Sequence, residues 1–300
     1  MAIQTVRAQV NGTWHTLTLN RDNGKYEASI TAPTTSSYNQ PNHYYNVTVE
    51  ATNTAGTTVS TNGATLTGLQ LVVKEKTAPI ITITAPTASS TLTNNKPNIT
   101  WTVTDADSGV DPDSISIKID SASAVTADIT KTPKGKGFNC SYTPTTALTD
   151  GPHTITVNAS DYDGNAATAK SVKFKVDTTP PTLSVSSPAA GLITNTAALT
   201  VSGTTNDATS SPVTVKITLN GADQGTVTVA SSGAFSKAVT LKEGNNTIVV
   251  TATDAVGKAS TITRTVTLDT SAPEITAATI TPNPADVGAT VLISVTIAEE

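Results

Sequence analysis

Three hundred residues with a net charge of −5, 37% hydrophobic and 4% aromatic, leave room for two or three domains and offer no electrostatic grip on nucleic acid. About one residue in five is threonine, which suits pleated strands, and no apolar run is long enough to span a bilayer. Apolar periodicity of helical length is missing, while glycine, proline and asparagine punctuate short alternating runs. The expected fold class is therefore all-β.

At the N-terminus, "MAIQTVRAQV" has neither a basic n-region nor an apolar h-region. The expectation is a chain without a signal peptide, made in the cytoplasm and then virion-associated or released. Residues 1–76 form a first segment. It carries an insertion, "TAPTTSSYNQPNHYYN", with Tyr38, His43, Tyr44 and Tyr45, half of the tyrosines of the chain. The plain reading is loop packing, with Tyr45 fixing a strand corner. The sharper reading makes Tyr38, His43 and Tyr44 a recognition loop for a cell-surface glycan.

Residues 77–177 hold a full series of alternating runs, from "IITITAP" and "NITWTVTD" to "HTITVNAS" and "SVKFKVD". Trp101 alternates with Ile99 and Val103 on one strand face, and it and Trp14 are expected in cores. "DADSGVDPD" brings Asp105, Asp107, Asp111 and Asp113 into one loop, and hard cations favour clustered carboxylate oxygens. It is not an EF-hand loop: Gly109 stands where a ligand belongs and no Glu closes it. The favoured reading is a solvated turn and no cofactor; calcium is the alternative. Lys131, Lys134 and Lys136 read as a solvated hairpin tip, and the lone Cys140 as a small core residue.

Residues 178–270 repeat the series. Residues 271–300 hold only "EITAATITPNP" and "TVLISVTIAEE", which match the first two strands of a repeat. Residues from Val291 to Glu300 read as a strand.

Internal repetition is the strongest signal. "YNVTVEATNTAG", "HTITVNASDYDG" and "NTIVVTATDAVG" align Asn53 with Asp161 and Asp254, and Gly56 with Gly164 and Gly257. Each reads as a strand and a tight turn, in which Asn or Asp caps and Gly relaxes the backbone. Tyr45, His153 and Asn246 align as corner residues. Pro-containing joints, "KEKTAP", "VDTTPP" and "LDTSAP", follow at the spacing of one immunoglobulin-like sandwich. The A-x-D-x-x-G hairpin, the "DTTPP" joint and "DADSGVDPDSISIKID" resemble the tandem bacterial Ig-like domains of surface adhesins and phage virion proteins. "MAIQTVRAQVNGTWHTLTLN" followed by "LVVKEKTAP" is similar to Ig-like proteins encoded in prophages of Gram-positive gut bacteria. The resemblance implies tandem immunoglobulin-like β-sandwiches in an elongated array.

"TVRAQVNG" aligns with "TVKITLNG", so the first segment starts at the third strand of a repeat and lacks the first two. The spare pair in 271–300 is the complement. Ile275, Ile280, Val291, Ile293, Val295 and Ile297 are the expected assembly residues, inserting into the first domain of a neighbouring copy or into another virion protein. There is no phosphate loop, no G-x-S-x-G and no H-E-x-x-H, so no catalytic residues are expected. The expected function is a non-enzymatic rod or filament protein, of a phage tail or a cell surface. The alternative is an adhesin or virion decoration binding glycans. Membrane insertion is not expected.

Overall fold

The computed structural model describes residues 2–298. The chain divides into two compact units, at residues 176 and 177.

The first unit opens with β1 (Ile3–Val10), β2 (Thr13–Asn20), β3 (Lys25–Glu27), β4 (Tyr45–Asn46), β5 (Thr48–Asn53), β6 (Thr58–Asn62) and β7 (Gln70–Leu71). Five of these make one antiparallel sheet in the order β3-β2-β1-β5-β6, and β4 pairs with β7. Among the described residues no second large sheet faces it. Val6, Val10 and Tyr45 are buried, but Ile3, Trp14, Leu19 and Ile30 are exposed. Trp14 is therefore not a core residue, against the expectation. It lies 37% exposed on β2, and the Arg7 guanidinium sits 4.2 Å above its ring.

The same unit continues with β8 (Ile80–Ala85), β9 (Thr91–Leu92), β10 (Ile99–Thr104), β11 (Ser116–Ile119), β12 (Thr130–Lys134), β13 (Gly137–Tyr142), β14 (Gly151–Asn158) and β15 (Lys170–Val176). Two four-stranded sheets, β12-β13-β10-β8 and β11-β14-β15-β9, form a sandwich. Alternation sets the packing: Ile99, Trp101 and Val103 of β10 point inward, as do His153, Ile155 and Val157 of β14. Trp101, Phe174, Ile115 and Ile117 complete a fully buried core. Cys140 lies in that core, and burial pushes its thiol up to about 11. The lysine cluster lies around the β12–β13 hairpin, but Lys131 and Lys136 donate to the carbonyls of Pro112 and Asp107.

The second unit contains β16 (Thr182–Ser187), β17 (Leu192–Thr194), β18 (Ala198–Asn206), β19 (Thr214–Leu219), β20 (Ala222–Asp223), β21 (Ala234–Thr240), β22 (Gly244–Thr253) and β23 (Ala259–Leu268). Sheets β16-β18-β21 and β17-β23-β22-β19-β20 enclose Val201, Ile217, Ile248, Val250 and Val266. A hairpin follows, β24 (Glu274–Thr281) and β25 (Leu292–Ala298), paired only with each other. Glu299 and Glu300, the end of the expected last strand, lie outside the described residues. Val291 precedes β25 rather than opening it.

The repeat's tight turn is built alike in both units. Oδ1 of Asn53 accepts from the backbone N–H groups of Ala55 and Thr57, and Oδ1 of Asp254 from those of Val256 and Lys258. Gly56, Gly164 and Gly257 stand at φ +83°, +90° and +89°, a left-handed conformation that favours glycine.

Candidate cation sites

Two carboxylate clusters stand out among the described residues: Glu75, Asp105 and Asp161 in the first unit, and Asp177, Asp207 and Asp254 in the second. In each, one oxygen per residue lies within 4.8 Å of the others. The two are built from equivalent positions. Glu75 and Asp177 belong to the joints "KEKTAP" and "VDTTPP". Asp105 and Asp207 directly follow the equivalent strands β10 and β18, and Asp161 and Asp254 open the tight turn.

Backbone N–H groups fix one oxygen of each aspartate at the strand ends and turns. Asp105 Oδ1 accepts from Asp107 (2.9 Å) and Gly109 (2.7 Å), and Asp207 Oδ1 from Thr209 (2.8 Å) and Ser210 (2.6 Å). Asp161 Oδ1 accepts from Asn165 N–H at 2.8 Å, and its Oδ2 from the Asn165 side chain. Glu75 Oε1 accepts from Ser108 N–H at 2.6 Å.

The second oxygens differ. Oδ2 of Asp105, Asp177 and Asp254 is buried with no hydrogen-bond partner. Asp177 is 1% exposed, Asp254 6% and Asp207 9%. Burial pushes the Asp177 carboxyl up from the ordinary aspartate range, and the charge of Asp207 and then Asp254 adds to this. Hydrogen bonds from Ser210 and Thr179 pull it back. Like charges at such separations repel by roughly 3 kcal/mol per pair at an effective dielectric constant near 20.

The acidic loop expected from the sequence is not the set assembled. Of its four aspartates only Asp105 joins a cluster. Asp107 is turned to the first segment: Oδ2 accepts from Ser36 N–H at 2.8 Å, and Oδ1 from Asn39 Nδ2 at 2.8 Å. Asp111 caps a short 3-10 turn by accepting from Asp113 N–H, and Asp113 is exposed. Glu75 and Asp207 were not singled out in the sequence; Glu75 stands in the joint "KEKTAP" at the position of Asp177 in "VDTTPP".

The aromatic insertion forms a ring column. Tyr38 stacks on His43 at 3.9 Å and on Tyr162 at 4.0 Å, and His43 Nδ1 lies 3.0 Å from the Tyr38 carbonyl. With a ring on each face, Tyr38 has no face left for a sugar. Tyr44 is half-buried beside this column in sequence and stacks on none of its rings. Ile275, Ile280, Val291, Ile293, Val295 and Ile297 are all exposed, between 39% and 66%.

Residues 76–178 match the family model "Bacterial Ig-like domain", and residues 181–270 match "Glucodextranase, domain B". The sheets and these matches define the class: tandem Ig-like β-sandwich domains. Similar solved structures include fibronectin(III)-like modules of Clostridium thermocellum CbhA, at 17% identity and TM-score 0.33, covering 63% of this chain and 94% of that one. Domains A168–A170 of titin align at 14% identity and TM-score 0.40, covering 87% and 86%. Immunoglobulin domains 1–4 of Sidekick-1 align at 12% identity and TM-score 0.41, covering 89% and 68%. No curated protein matches. Among the described residues no helix is long and apolar enough to cross a membrane.

Proposed function

We propose that this chain is a non-enzymatic structural module of a phage virion or surface filament that assembles by β-strand complementation. One observation carries the reading. Ile155 and Val157, and their equivalents Ile248 and Val250, are 0% exposed between two sheets. The matching Val47 and Val49 of the first segment are only half-buried. Among the described residues no second large sheet covers that face, and the β24–β25 hairpin is an antiparallel pair with both faces exposed. Its Ile280↔Ile293 and Ile275↔Ile297 pairs present apolar side chains. Each would gain roughly 1.5–3 kcal/mol on full burial. A two-stranded hairpin alone is marginal in water, and adding it to an open sandwich of another copy relieves both surfaces.

Sedimentation of the full chain over a concentration series tests this. Head-to-tail oligomers are expected, and Ile280→Asp with Ile293→Asp should return monomers. Oligomers that survive the double substitution, or a full chain monomeric at every concentration, overturn the reading. A monomer that retains a cell-wall polysaccharide favours the adhesin alternative.

A further inference from the structure

We infer that the Asp177, Asp207 and Asp254 cluster is a calcium site, and that Glu75, Asp105 and Asp161 form its equivalent in the preceding sandwich. Three buried or half-buried carboxylates converge within 4.8 Å at each place. The decisive feature is the orphaned oxygens. Oδ2 of Asp177 and of Asp254 belong to side chains more than nine-tenths buried, yet neither has a hydrogen-bond donor. A buried carboxylate oxygen without a donor is costly, and two in one cluster are more so. A cation coordinated by both removes the cost and the repulsion together.

The donor set selects the ion. All candidate ligands are carboxylate oxygens, which suit hard divalent cations and not the softer metals that favour imidazole or thiolate. Three carboxylates borne on a joint and two loops fit calcium, which accepts irregular oxygen shells, better than magnesium, which demands near-octahedral geometry and keeps its waters. The first segment gives an internal contrast. At the position of Asp161 and Asp254 it carries Asn53, whose Oδ1 makes the same backbone bonds to the turn. The turn therefore needs only a carbonyl-type oxygen, and the negative charge at Asp254 is surplus to it, whereas the second oxygen of Asp161 also accepts from the Asn165 side chain. Coordination would tie the segment that enters each sandwich to the two loops at that end. This goes beyond the assembly reading and does not depend on it.

The experiment is calorimetric titration of calcium chloride into the chelator-treated full chain, repeated with magnesium chloride. Two calcium ions per chain are expected, falling to one in Asp254→Asn, one in Asp161→Asn and none in the double variant. Asn53 shows that Asn keeps the turn, so the chelated Asp254→Asn chain should melt no lower than the chelated natural one. Calcium should raise the melting temperature of the natural chain and leave that of the double variant unmoved. No uptake at millimolar calcium, unchanged stoichiometry in the double variant, or uptake of magnesium in preference to calcium each overturns the assignment.

Discussion

Nδ1 of His153 lies 2.7 Å from Oδ2 of Asp120, and Nε2 of the same ring lies 2.7 Å from the carbonyl oxygen of Thr149. Both neighbours are acceptors, so the ring satisfies both only as imidazolium, with two N–H donors. Burial by itself would lower the His153 pKa; the Thr149 carbonyl and the Asp120 carboxylate outweigh it and raise it above 6.5. A raised folded-state pKa means stability that is fully present below the unfolded value and lost as pH rises through the folded one. The melting temperature of the first unit should therefore fall as pH rises above the ordinary histidine value of about 6.5. Asp120 is 43% exposed and screened by solvent, so the loss is about 1 kcal/mol. Asp120→Asn should flatten the profile. Asn246 holds the equivalent corner of the second unit through Lys242 and Gly244 carbonyls, without a titrating group. A first-unit transition whose stability does not change as pH rises from acid through neutrality would refute the imidazolium.

Gly203 of β18 is closed to any side chain. A Cβ there would stand 2.0 Å from the Ser184 carbonyl oxygen and 2.7 Å from the Phe235 ring. Ser184 is backbone of the adjacent strand and cannot yield without opening the β16–β18 ladder. Gly203→Ala should cost more than about 2 kcal/mol, the range of overpacking and broken pairing. Chemical denaturation of the second unit measures it, and a loss below about 0.5 kcal/mol would show that the sheets shift freely.

Much of the fold was legible in the sequence because strand alternation, turn chemistry and repetition are local. Ile99, Trp101 and Val103 declared their inward face by spacing, and the Asn or Asp at the tight turn declared its cap. The corner role of Tyr45, His153 and Asn246 followed from one alignment; all three are buried and bonded to nearby backbone. The carboxylate clusters were harder to read. "DADSGVDPD" concentrates four aspartates in sequence, but an irregular loop sends them in different directions, and Asp107 is taken by Ser36 and Asn39. The convergent sets combine residues tens of positions apart, and Glu75 and Asp207 look isolated until the sandwich brings them together. Trp14 misled because an apolar residue on a strand face reads as core whether or not a second sheet covers that face.

Cys140 should be inert while the first unit is folded. It is 4% exposed, and burial holds its thiol near 11, so thiolate at neutral pH is scarce and shielded. Alkylation with iodoacetamide at pH 8 should proceed only through unfolding, and its rate should track denaturant-induced opening of the first unit. Rapid labelling of the native chain, at the rate of a free thiol, would show that the Trp101 core opens locally.

The incomplete cover of the first sheet makes a quantitative prediction at Val49. Val157 and Val250 occupy the same repeat position and are 0% exposed, whereas Val49 is half-buried. Removing two methyl groups from a closed core costs about 0.8 kcal/mol for each group, with a further contribution from the cavity. Val157→Ala and Val250→Ala should therefore each cost about 2–3 kcal/mol. Val49→Ala should cost about 1 kcal/mol or less, because water already reaches the site. If the β24–β25 hairpin covers this face, a peptide spanning residues 271–298 should stabilise the first segment. It should also raise the cost of Val49→Ala toward that of Val157→Ala, since the valine then loses a closed core. Hydrogen exchange at β1 and β5 gives the site-specific readout: added peptide should slow it in the natural chain and less so in Val49→Ala. Equal costs at Val49 and Val157 without any peptide would mean that the first sheet is already covered, and would remove the physical reason for complementation.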